Sequence, residues 1–71
     1  MPFIEVKLYE QRLAEPSAAS RLITALTDAA VSVLGENARA HTWVVLTPVP
    51  SKLWGISGAS EPAPEDDHDG A

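Results

Sequence analysis

Polar and apolar residues alternate from the start of the chain. Ile4, Val6 and Leu8 fall on one face of an extended segment, and Glu5 and Lys7 on the other. That period of two predicts a β-strand from Phe3 to about Glu10. The period then changes. Leu22, Ile23, Leu26, Ala29, Ala30, Val33 and Leu34 recur at helical spacing, while Arg21, Thr24, Thr27, Asp28 and Ser32 fall largely elsewhere on the wheel. This predicts an amphipathic helix ending near Leu34. Pro16 suits its first turn, with Ser17 or Glu15 as the candidate cap. Gly35 ends it as a residue free to take positive φ. After a polar link from Glu36 to Ala40, the β-branched and aromatic run His41 to Thr47 predicts a second strand, stopped by Pro48 and Pro50.

A strand, a helix and a strand with short links make a βαβ unit of the α/β class, with parallel strands and a right-handed crossover. Trp54-Gly55-Ile56-Ser57-Gly58 adds a short C-terminal hairpin or a close backbone approach. Beyond Ser60 no large apolar residue remains, so ordering that segment has no compensating burial. The domain is expected to span 1–59 and an acidic disordered tail 60–71.

Charge sharpens this division. Lys7, Arg12, Arg21, Arg39 and Lys52 balance Glu5, Glu10, Glu15, Asp28 and Glu36, so residues 1–60 are neutral. Glu61, Glu65, Asp66, Asp67 and Asp69 carry the whole net charge of −5. A neutral body with an acidic tail lacks the electrostatic footprint of a nucleic-acid binder. No apolar run approaches the ~18 residues of a membrane span, and the basic and apolar blocks of a signal peptide are missing. A cytoplasmic protein is expected. The chain has 71 residues and no cysteine. A domain this small buries only about 60% of its unfolded surface, and disulfides and thiolate metal sites are both excluded. His41 and His68 are too few and too far apart for a zinc cage. Oligomerisation is the remaining source of stability.

Candidate chemistry begins at Pro2. Proline behind an initiator methionine is a substrate for methionine removal, so the mature chain is expected to begin at Pro2 with a secondary amine. A strand beginning at the next residue holds that amine on a rigid element, where its surroundings tune its pKa. Proline is also a common and tolerated strand start, so position alone does not make it catalytic.

Pro2, the strand Phe3 to Tyr9, Arg12 just beyond it, the amphipathic helix, the second strand and Trp54-Gly55-Ile56-Ser57-Gly58 together resemble the 4-oxalocrotonate tautomerase family. The last segment matches the family's aromatic-Gly-Ile-Gly-Gly with one serine substituted. The resemblance implies βαβ units that pair into dimers through shared sheets, commonly assembling into hexamers, with no cofactor. It implies that Pro2 is the catalytic base, shuttling a proton on a small 2-oxo or 2-hydroxy-enoic acid. Arg12 matches the arginine that binds the substrate carboxylate, and Trp54 the aromatic that keeps the pocket apolar. Trp43 stands where relatives acting on the dienol acid carry a second arginine. Losing that cation removes stabilisation of the developing enolate, so Trp43 is expected to line an apolar pocket or pack in the oligomer. Arg39 and His41, just upstream, are the candidates for a replacement charge. Tyr9 is a candidate hydrogen-bond donor. The alternatives are a proline-dependent decarboxylase or hydratase/dehalogenase of the same superfamily, and a non-catalytic assembly subunit.

Overall fold

A computed structural model describes residues 1–60. Strand β1 (Phe3–Tyr9), helix α1 (Ala18–Leu34) and strand β2 (Trp43–Val49) follow in order, and β3 (Gly55–Ile56) and β4 (Ala59–Ser60) form a terminal hairpin. β1 and β2 pair in parallel, with Phe3 beside Trp43, Val6 beside Leu46 and Tyr9 beside Val49. β3 and β4 pair antiparallel. The architecture is the βαβ unit that the two periodicities predict. Most of the expected acidic tail lies outside the described residues.

Backbone direction decides what each sheet edge can do. The Trp43 N–H donates to the Pro2 carbonyl at 3.0 Å. Backbone groups facing a given neighbour alternate along a strand. Val45, Thr47 and Val49 therefore also face β1, while Val44, Leu46 and Pro48 turn their nitrogens to the outer edge. This accounts for a departure from expectation. Pro48 does not stop the strand; it lies inside β2, paired in register with Leu8. Its missing N–H falls on the open edge, where no ladder bond is lost. On β1, Phe3, Glu5, Lys7 and Tyr9 point their backbone groups outward, and that edge carries no proline.

The start of β2 also shifts. His41 is not in the strand, because residues 36–41 wind into a 3₁₀ turn. Thr42 closes that turn, its side-chain hydroxyl donating to the Ala38 carbonyl at 2.8 Å. Arg39 clamps it, bonding Glu36 at 2.6 Å and Asp28 of α1 at 3.0 Å. At the other end of the helix, the two candidate caps bond each other. The Ser17 hydroxyl donates to both Glu15 carboxylate oxygens at 2.8 and 3.0 Å, and Ser17 makes no side-chain cap. Pro16 lies before the helix, not in its first turn, within a turn closed by the Ala18 N–H and the Glu15 carbonyl. Gly35 takes φ +100 as expected, and its N–H closes the last turn on Val31.

The even-numbered face of the sheet and the inner face of α1 form the apolar layer. Ile4, Val6, Leu8, Val44 and Leu46 are half-buried on the sheet, and Leu22, Leu26, Thr27, Ala30 and Val31 on the helix. Thr27 therefore sits on the packed face, its hydroxyl satisfied by the Ile23 carbonyl at 2.8 Å. Val33, expected inside, is 82% exposed. No described residue is fully buried. The odd-numbered sheet face is open at the Phe3 end, leaving Phe3, Trp43 and Val45 exposed.

Candidate active site

Pro2 heads β1. Its carbonyl holds the first bond of the ladder and its ring is half-buried, while Met1 before it is 83% exposed. The Met1–Pro2 bond is thus accessible, and the ring behind it is fixed to the sheet. Beside it, Phe3 and Trp43 are register partners on the uncovered face. Pro2 and Trp43, two of the four expected site residues, therefore share one end of the sheet.

The other two gather at the far end. The Trp54 ring packs on Tyr9 with centroids 4.8 Å apart and planes tilted by 33°. Its indole N–H donates to the Val49 carbonyl at 3.2 Å, which ties the segment before the hairpin to the end of β2. Tyr9, a candidate donor in sequence, here supplies a ring face. Arg12 lies in the 3₁₀ turn Glu10–Leu13. It lines an open cavity of about 430 Å³ together with Leu8, Leu13, Ala18, Arg21 and Leu22. Seven strand residues at about 3.3 Å each separate the ends by roughly 20 Å. One chain does not bring Pro2 to Arg12 and Trp54.

Both candidates for a replacement charge lie in the 3₁₀ turn that precedes β2. Arg39 is engaged by Glu36 and Asp28, and those hydrogen bonds, Glu36 first, raise its pKa further above the usual arginine range. His41 ends the 3₁₀ turn and is exposed. Between the two groups, the uncovered face carries Glu5. Its carboxyl pKa is lowered chiefly by the hydrogen bond from Lys7 at 2.7 Å and then by Thr47 at 3.2 Å. Among the described residues no group of His, Cys, Asp and Glu could hold a metal ion. No helix among them is long and apolar enough to cross a membrane.

Two features were not anticipated. Arg21 joins Arg12 at the cavity; its signal was the spacing Ala18–Arg21–Leu22, which sets three residues on one helical stripe. Ser57 takes φ +55, a conformation glycine adopts without strain.

A parallel βαβ unit with exposed aromatic and aliphatic residues on one sheet face and a short terminal hairpin defines the fold class. The model of the family described as tautomerase enzyme matches residues 2–61, and the chain belongs to this family of enzymes. Among solved structures it is similar to TomN, a 4-oxalocrotonate tautomerase homologue of the tomaymycin biosynthetic pathway. That match has 34% identity and a TM-score of 0.72, and covers 83% of this chain and 86% of TomN. It is also similar to DmpI from Helicobacter pylori, at 33% identity and a TM-score of 0.70, covering 83% of this chain and 94% of DmpI. No curated protein sequence matches the chain.

Proposed function

We propose that this chain is a tautomerase in which the Pro2 amine, exposed by removal of Met1, is the general base for keto–enol proton transfer. The substrate is a small 2-oxo or 2-hydroxy-enoic acid. The observation that carries this reading is the half-buried Pro2 ring, anchored by the Trp43 N–H beside an aromatic pair. Apolar surroundings disfavour the ammonium form and lower the pKa of the amine. A base poised near the working pH both takes and returns a proton efficiently. Arg12 holds the substrate carboxylate through its guanidinium fork, and Trp54 walls the pocket. With Trp43 where relatives have a cation, the enolate is stabilised less by charge, and the substrate's apolar part is favoured.

The separation of Pro2 from Arg12 and Trp54 leads to a site completed by a second copy. The proline-free outer edge of β1 is the edge open to pairing. Two β1 edges meeting antiparallel around Val6 would set Glu5 opposite Lys7 of the second copy, and Phe3 opposite Tyr9. Opposite charges in register stabilise such a pair. The same pairing brings Pro2 of one copy to the Arg12 end of the other, and the bare aromatic face supplies further surface for assembly.

Subunit complementation tests this reading. Pro2→Ala and Arg12→Gln proteins are each expected to be inactive towards an enol acid such as enol-phenylpyruvate. Equal co-expression should restore about one quarter of wild-type activity, because random symmetric assembly sets an intact Pro2 against an intact Arg12 in that fraction of sites. Activity that stays at background in the mixture contradicts a shared site.

A further inference from the structure

We propose that Arg21 is a second carboxylate-binding residue, and that the cavity it shares with Arg12 takes a carboxylate carried on an apolar stem. The inference deepens the reading of Arg12 given above and rests on it. The cavity, of about 430 Å³, has an apolar lining of Leu8, Leu13, Ala18 and Leu22, and its only charged lining residues are Arg12 and Arg21. Its volume is that of a small-molecule site. Apolar walls with two arginines among them complement one kind of ligand, an anion at the end of a hydrocarbon or aryl body. Planar forks select a carboxylate over a neutral group of the same shape.

The surroundings of Arg21 show how it is held ready. Among the described residues its ion-pair partner is Glu15, 3.7 Å away, beyond hydrogen-bond range. Both side chains are largely exposed, at 77% for Arg21 and 61% for Glu15. An exposed pair at that distance contributes little. The same Glu15 carboxylate is bonded at 2.8 and 3.0 Å by the Ser17 hydroxyl. When a ligand carboxylate displaces it, Glu15 keeps its closer partner and Arg21 gains a hydrogen-bonded one. Glu15 therefore acts as a weak internal competitor for the ligand. The arrangement also says where positive charge went in this chain. It is absent at Trp43 and doubled at the Arg12 end, where the cavity grips an anion.

Calorimetric binding to the full chain tests this, with 3-phenylpropanoate as a probe that cannot tautomerise and 3-phenylpropanol as its neutral counterpart. The acid should bind and the alcohol should not. Arg21→Gln should weaken acid binding by about tenfold, the loss of one charge-assisted hydrogen bond. Glu15→Gln should tighten it, an effect that a merely structural role for either residue would not produce. Equal affinities in the wild type and Arg21→Gln overturn the proposal and leave the general-base reading intact. Full turnover in Pro2→Ala overturns that reading instead and leaves the carboxylate pocket standing.

Discussion

Trp54 ties three parts of the chain together, and its removal has a calculable cost. The indole N–H bonds the Val49 carbonyl at 3.2 Å, and the ring packs on Tyr9 at 4.8 Å. Trp54→Phe keeps an aromatic face and loses the hydrogen bond, which should destabilise by about 1 kcal/mol. Trp54→Ala loses the face too. Truncating a fully buried large aromatic costs about 3–5 kcal/mol, and Trp54 is only half-buried, so roughly 2 kcal/mol is expected. Part of that loss belongs to the ring pair. A double-mutant cycle with Tyr9→Ala should return a coupling of about 0.5–1.5 kcal/mol. The assay is urea unfolding at one fixed protein concentration, since assembly adds a mass-action contribution to apparent stability. Additivity of Tyr9→Ala and Trp54→Ala within about 0.3 kcal/mol would refute the idea that the rings act as a unit.

The hairpin and the uncovered face provide two further checks. Ser57 sits at φ +55, where a left-handed conformation costs a non-glycine residue roughly 1–2 kcal/mol. Glycine relieves that strain but adds about 0.4–1 kcal/mol of unfolded-state entropy. Ser57→Gly should raise stability by about 0.5–1 kcal/mol, the difference between those two effects, and a lowered urea midpoint would contradict this. For Glu5, whose folded pKa is lowered by Lys7, the contribution to stability is present above the ordinary glutamate pKa. It is lost as pH falls through the lowered folded value. Carboxyl NMR titration of Lys7→Gln should find the Glu5 pKa raised towards the ordinary value, and an unchanged titration would mean Lys7 is not the cause.

Much of the architecture was legible because it rests on period and punctuation. Alternation over Ile4 to Leu8 identified β1, helical spacing identified α1, and Gly35 marked its end with the positive φ that the structure contains. The misreadings share one cause, which is that local rules depend on direction in space. Pro48 breaks a ladder only if its nitrogen faces a partner, and that requires knowing the register with β1. Val33 and Thr27 exchange inside and outside because the helix rests on a two-stranded sheet too narrow to cover its whole apolar stripe. Ser17 and Glu15 both looked like caps, and each satisfied the other. Pro2, Arg12, Trp43 and Trp54 were candidates by type and order alone. Their division into two groups follows from the length of β1, and Arg21 emerged only when the 10–13 turn folded back towards the helix.

The most direct test of the account is the rate at which enol-phenylpyruvate is ketonised by protein verified by mass to begin at Pro2, measured beside Pro2→Ala. Turnover in the wild type that falls to background in a folded Pro2→Ala protein is the predicted result. Equal rates in the two proteins would remove the amine from the chemistry.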